Sequence, residues 1–398
     1  MVDLAGAADL GQEHIDVAAV LGQIVDDALA SAAAEIGYPG ATDLDHRAVM
    51  DRLGHRLWNN IGDPGDVGGV ANTRVLERAV VAWVADLLAM PTNDRWGYVT
   101  TGGTEGNLAA LYAARRRYRG ARVFFSQAAH YSIPKLVRVL GAHGVLVRAD
   151  ERGEMDYDDL AAQLRRRRRS PAIVVATAGT TLTEAVDDTD RIRDLLAEHP
   201  ARGHLHVDAA LSGIPLALDG RLRLDDAAGI GSIAISGHKF FGTPVPCGVV
   251  LVRDNVRTRG KPIAYTGTSD TTISGSRCGL ATALLWHSIA VQGREGHRWR
   301  AVRARELAAY AVEQITAVGW RAWRHDHAMT VVLDTPPAEV LDQHTLATDG
   351  AESHLICMPG ITRTQIDAFV TDLAIAAHRP TVPRPRTPAD PLRLTTTY

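Results

Sequence analysis

A chain of 398 residues, 46% apolar and 22% charged, can bury a sizeable core, and its length predicts about two or three structural units. A net charge of −3 supplies no global field for nucleic acid or an acidic membrane, so partners must be argued from local sites. Cys247, Cys278 and Cys357 form no CxxC pair, which argues against a disulfide framework or structural zinc. Together with an acidic N-terminus lacking a signal-like basic region and the lack of a run of about eighteen apolar residues, this predicts a cytoplasmic protein.

Residues 14 to 35 place apolar groups at helical spacing before GYPGATD breaks the pattern. A short helix is expected over 46 to 58, then the Gly-rich IGDPGDVGGVANT, then a helix over 73 to 90 capped by Thr73 with Glu77 in its first turns. From GYVTT onward apolar strands alternate with helical segments: RVFFS, GVLVRAD, AIVVATAG, HLHVDAA, SIAIS and GVVLVR read as strands. Such alternation predicts an α/β domain with a mostly parallel sheet, whose ligands gather at the carboxyl ends of the strands. A long helix over 279 to 315 then leads into a smaller α+β unit. The expected division is an N-terminal helical segment at 1–50, a large domain at 51–275, a small one at 276–380 and a Pro-rich tail at 381–398.

Three groups of residues carry the chemistry. TTGGTEGN, residues 100 to 107, follows a strand and opens a helix, so Gly102, Gly103 and Thr104 lie at the positive end of that helix. It matches neither GxGxxG nor the P-loop, and reads equally as a tight turn or as an anion site. Asp208 ends an apolar strand, as a loop acid or as the partner of a protonated ring nitrogen. Lys239, in SGHKFFGTPVPCG between two apolar strands, is a loop lysine or an amine whose proton affinity burial has lowered. Lys135, Lys239 and Lys261 are the only lysines, arginine being used elsewhere, which favours a need for an amine at 239. An anion turn, a strand-end acid and a strand-end lysine in this order match pyridoxal phosphate better than any other cofactor.

The segments TTGGTEGNL, SQAAHYSIPKLVRVLG, ATAGTTLTEAVDD, HVDAALSG, SGHKFFGTPVPCG and TISGSRCG resemble the group II pyridoxal-phosphate decarboxylases, most closely the histidine and serine decarboxylase branch. YPGATDLDH, LWNNIGDPG and HLICMPGIT extend the similarity over about residues 37 to 375. The resemblance implies a fold-type I enzyme of the aspartate aminotransferase kind that decarboxylates an L-amino acid, with histidine the best single choice. A serine or other amino acid decarboxylase, or a lyase or aldehyde-forming variant, is the alternative. It also implies that Lys239 binds the cofactor covalently, Asp208 pairs with the pyridine nitrogen, His130 stacks over the ring and Ala210 packs beneath it. Gly103, Thr104, Ser236 and His238 would hold the phosphate, and Thr180 would sit near the ring substituents. His130, Lys239 or Tyr265 would return the proton to Cα. The family's sites form between two subunits, so a homodimer is implied, with Ser276 and Arg277 near the partner's cofactor.

The branch often has a histidine where this chain has Gly360, and an aromatic after GDP where it has Gly65, so both positions bear on the substrate. The run Arg165 to Arg169 ends a helix begun by Asp156, Asp158 and Asp159, which suits a helix dipole better than a nucleic-acid patch. The pairs His204/His206 and His325/His327 point to one side of a strand without a matching carboxylate motif, so no metal site is expected.

Overall fold

Three α-helices precede the main sheet. The first, α1 (Val17–Ala32), is capped by Asp16, whose carboxylate accepts from the Ala19 N–H at 3.0 Å. None of its residues is buried, and Val17, Leu21, Ile24, Val25 and Leu29 line an exposed stripe. After α2 (Arg47–Leu53) comes α3 (Arg74–Leu87), and here the expected cap fails. Tertiary contact draws the Thr73 hydroxyl to the Gly279 carbonyl at 2.9 Å, while Glu77 is buried, accepting from the Val99 N–H at 2.8 Å and from Arg277 at 3.1 Å.

This computed structural model describes residues 15–67 and 71–377; the proline-rich tail and the first fourteen residues lie outside that range. Its central sheet contains β1 (Trp96–Thr100), β2 (Arg122–Ser126), β3 (His143–Val147), β4 (Ala172–Thr177), β5 (Gly203–Asp208), β6 (Ser232–Ser236) and β7 (Gly248–Val252). The spatial order is β1-β7-β6-β5-β4-β2-β3, and β7 alone runs against its neighbours, so the sheet is mostly parallel as the alternation predicts. Between the strands lie α4 (Gly103–Arg117), α5 (Ser132–Val139), α6 (Tyr157–Arg166), α7 (Thr189–Ala197) and a short α8 (Gly213–Leu218). Every residue of β4 is buried, as expected of a strand covered on both faces. Asp156 caps α6 by accepting from the Asp159 N–H, and Arg165 and Arg166 close it.

A small hairpin, β8 (Pro262–Ile263) and β9 (Thr268–Ser269), precedes the long helix α9 (Gly279–Ala317), which bends at Gly293, where φ is +58°. Ala281, Leu285, Ile289, Ala301 and Ala304 of α9 join the core of the main sheet, whereas Ala308, Ala311 and Ile315 join a second core. That core belongs to an antiparallel sheet of β10 (Ala322–Trp323), β11 (Thr330–Asp334), β12 (Ala347–Asp349) and β13 (Glu352–Ile356), in the order β10-β11-β13-β12. A short α10 (Ala338–Leu341) and α11 (Arg363–Ala377) complete this unit. Ile36, from the N-terminal segment, is buried in the same core, and its carbonyl accepts from the Ile356 N–H at 2.7 Å. Among the described residues no helix is long and apolar enough to cross a membrane.

Candidate active site

The carboxyl ends of β1, β2, β4, β5 and β6 converge on a cavity of about 290 Å³. Gly102, Gly103 and Thr104 follow β1, His130 follows β2, and Thr181 follows β4. Asp208 ends β5, and Ser236, His238 and Lys239 end or follow β6. Ala210 also lines the cavity, so of the residues singled out for the cofactor only Thr180 does not. Its hydroxyl turns into its own loop, 2.9 Å from Thr183 Oγ1 and accepting from the Ala185 N–H at 3.0 Å, and the neighbouring Thr181 faces the cavity instead. Asn107, Ser132 and Thr181 were not anticipated by spacing; only the position of Asn107 one turn into the GGTEGN helix could have suggested it.

Lys239 stands where it does because its neighbours are anchored. Phe240 and Phe241 are buried in the main core, and the Lys239 carbonyl accepts from the Ala41 and Gly242 N–H groups at 3.1 and 3.0 Å. The turn is closed at its base by the Gly237 N–H donating to the Cys247 carbonyl at 2.7 Å. Burial lowers the proton affinity of the Lys239 amine, opposed by the charges of Asp208 and Glu184. Burial raises the pKa of Asp208, countered by Lys239, the Ala210 N–H at 3.2 Å, His130 and an Asn107 hydrogen bond. His130 is also biased toward its neutral form by burial, and its Nδ1 accepts from the Ser132 N–H at 3.3 Å.

The donor set fits pyridoxal phosphate. Gly103 opens α4 so close to β6 that a Cβ there would lie 2.8 Å from Ser236 Oγ and 3.2 Å from Ala210 Cβ, so any larger residue would have to displace the Ser236 hydroxyl at the floor of the turn. The first N–H groups of a helix have no acceptor within it, and here they face a cavity that also holds the Ser236 hydroxyl and the His238 ring. A buried carboxylate and an amine stand in the same cavity, as an electron-sink cofactor with a ring nitrogen and an aldehyde requires.

Residues 71–332 match the family model of the pyridoxal-dependent decarboxylase conserved domain. The chain belongs to the pyridoxal-dependent decarboxylase family. It is 42% identical over 346 residues to a histidine decarboxylase of Mesorhizobium japonicum, covering 85% of this chain and 92% of that relative. A histidine decarboxylase of Acinetobacter baumannii is 37% identical over 345 residues, with 85% and 90% covered. Among solved structures, the L-methionine decarboxylase of Streptomyces sp. 590 superposes with a TM-score of 0.86 at 24% identity, covering 93% of this chain and 97% of the other. The glutamate decarboxylase of Lactobacillus brevis does so at 0.77 and 16%, covering 93% and 95%. This is the fold-type I architecture, and the protein is a pyridoxal-phosphate-dependent carboxy-lyase acting on an amino acid.

Two further expectations meet the structure. Gly360 lies against Thr42 and Asp43, where a Cβ would fall 2.2 Å from Thr42 Oγ1, and neither it nor Gly65 lines the cavity of Lys239. Arg277 is buried within its own chain, donating to the Gly62 carbonyl and to Glu77, each at 3.1 Å, beneath the ring of Tyr98. Ser276 stays exposed and accepts from Asn59 Nδ2 at 3.1 Å.

Proposed function

We propose that this decarboxylase removes the α-carboxyl group of L-histidine, yielding its amine and carbon dioxide. The observation that carries the reading is the meeting of Lys239 and Asp208 in one cavity of a chain 42% identical to a histidine decarboxylase.

In this reading Gly103, Thr104, Ser236 and His238 hold the phosphate, Lys239 attaches the cofactor, and His130 and Ala210 flank the ring. Thr181 takes the place near the ring substituents first expected of Thr180. Bound there, pyridoxal phosphate supplies an electron sink for the pair left on Cα when carbon dioxide departs. Asp208 keeps the ring nitrogen protonated, and its confinement at the strand end aims the carboxylate. Lys239, whose proton affinity burial lowers, offers an amine to the cofactor and afterwards accepts or returns a proton at Nζ. His130 holds its Nδ1 toward Ser132, which leaves Nε2 as the protonated nitrogen of its neutral ring and the one able to serve Cα or the carboxylate. His130 and Lys239 line the cavity of their own chain, whereas Tyr265, 90% exposed in the β8–β9 hairpin, would serve as a proton carrier only at the partner's site in the homodimer of this reading.

The same reading makes the protein a cytoplasmic homodimer with Ser276 close to the partner's cofactor. The unburied apolar stripe of α1 and the exposed Tyr265 support a partner surface, and the free thiols Cys247, Cys278 and Cys357 support a reducing compartment. Incubation with each common amino acid, following carbon dioxide and amine, tests the substrate. Turnover of histidine well above all others is expected. Preference for another amino acid overturns the histidine assignment, and no turnover while cofactor is bound overturns a proteinogenic substrate.

A further inference from the structure

Behind Asp208 the sheet contains a buried line of polar side chains that packing alone does not require. His204 Nε2 lies 2.8 Å from Ser232 Oγ, which lies 2.9 Å from His206 Nδ1, and His206 Nε2 lies 2.9 Å from Asn107 Oδ1. Asn107 and Asp208 line the same cavity, and an Asn107 side-chain interaction is among the influences that offset burial in holding down the pKa of Asp208. All five side chains are at most 4% exposed. They come from β5, β6 and α4, and a Cβ at Gly231 would strike the His204 ring at 2.3 Å, so the chain leaves room for the line.

Hydrogen counting gives the line one direction. Asn107 Oδ1 can only accept, so His206 must carry its proton on Nε2. Burial keeps the His206 ring neutral, so Nδ1 is bare and accepts a hydrogen bond from the Ser232 hydroxyl, and Ser232 Oγ is left to accept from His204 Nε2–H. With Oδ1 occupied, the only face Asn107 can turn to Asp208 is its NH₂ group. Were His206 to carry its proton on Nδ1, the amide would reverse, and its oxygen would oppose an ionised carboxylate.

We propose that Asn107 and His206 are positioning residues for Asp208, His206 locking the amide of Asn107 so that it donates to the carboxylate and holds it ionised toward the cavity. The proposal rests on the reading that Asp208 meets the cofactor's ring nitrogen. The other charged or titratable groups acting on Asp208 are Lys239, after β6, and His130, after β2. Once Lys239 is engaged by the cofactor, Asn107 remains as a side-chain donor whose hydrogen bond depends on neither.

The test uses ¹⁵N NMR on two preparations. In cofactor-free protein with ¹⁵N-labelled histidine, His206 should show the neutral Nε2–H tautomer from pH 6 to 8; an Nδ1–H tautomer or a charged ring overturns the proposal with no variant needed. In protein loaded with ring-labelled ¹⁵N-pyridoxal phosphate, the wild-type ring nitrogen should be protonated. Asn107→Leu and His206→Phe should each lower its proton affinity by roughly tenfold, one pH unit, whereas His206→Gln, which keeps an N–H donor, should restore most of it. A protonated ring nitrogen in Asn107→Leu and His206→Phe, with its loss in Asp208→Asn, overturns the positioning role alone. A ring nitrogen that stays protonated in Asp208→Asn overturns the underlying reading of Asp208. Should His206→Phe fail to fold, Asn107→Leu and the wild-type tautomer decide.

Discussion

The carboxylate of Glu184 accepts a 2.6 Å hydrogen bond from Thr330 Oγ1, joining the loop after β4 to the first residue of β11. The same Oε2 accepts from the Met329 and Thr330 N–H groups at 3.0 and 2.8 Å, and Oε1 accepts from Ser212 Oγ at 2.8 Å. Glu184 is fully buried, with φ at +57°, a conformation a side-chain-bearing residue holds only when its surroundings over-determine it. One acid therefore ties the small sheet to the loop that presents Thr181 to the cavity.

Glu184→Ala should destabilise the protein by about 3 kcal/mol or more, because several buried donors lose their acceptor at once. Glu184→Gln keeps one acceptor oxygen and should lose less. Urea unfolding monitored by tryptophan fluorescence measures both, and wild-type stability in the alanine variant would show that the junction does not depend on this acid.

Gly103→Ala places a methyl group against Ser236 Oγ and Ala210 Cβ. Alanine is the better helix former by about 1 kcal/mol, so propensity alone favours the variant. We expect the steric term to prevail at the cofactor site, weakening pyridoxal phosphate about tenfold or more, equivalent to about 1.4 kcal/mol. Equilibrium dialysis against free cofactor reads this, and unchanged affinity would move the phosphate site away from the α4 turn.

Lys239→Ala should abolish the visible absorbance of covalently held cofactor while leaving the far-UV spectrum intact. Asp208→Ala should retain part of the cofactor but lose turnover by about 100-fold or more, since the ring nitrogen would no longer be held protonated. Normal turnover in Asp208→Ala contradicts the assignment of this acid.

Stability should fall on acidification. Burial depresses His204 and His354 to about 4 and His206 and His297 to about 3, whereas in the unfolded chain they titrate near 6.5. Across that gap the unfolded chain binds more protons, so stability is full above about pH 6.5 and is lost as pH falls toward the folded values. His46, His130, His238 and His327 shift in the same direction. Asp187, raised to about 7, acts oppositely, being stabilising at low pH and losing that contribution as pH rises through 7; Glu77 and Asp208 share its sign. Eight histidines against three acids leave the balance with the histidines, so stability should rise with pH between about 4.5 and 6.5. Urea midpoints at pH 5 and 7.5 measure it, and equal midpoints would mean that the buried imidazoles protonate in place.

Much of the site is legible in short stretches of chain. Strand-forming runs ending in Asp208 and Ser236, and a glycine turn opening a helix at Gly103, put the chemistry at the carboxyl ends of a parallel sheet, because strand periodicity and the turn requirements of glycine are local properties. Spacing alone left Lys239 ambiguous; the burial of Phe240 and Phe241 on its far side makes it a held amine.

What tertiary structure decided are contacts between distant residues. His204 and His206 read as a bare pair on one strand face, yet His206 meets Asn107 across 99 residues because β5, β6 and α4 are brought side by side. Thr73 reads as a helix cap, and the family resemblance sets Arg277 near a partner's cofactor, but the Gly279 carbonyl and Glu77 engage them within the chain. Thr181 rather than Thr180 faces the cavity because the hydroxyl of Thr180 is satisfied within its own loop. Spacing along the chain encodes which residues can share a face; which of them touch depends on the order of the strands, and that order is set by the burial of all the apolar faces together.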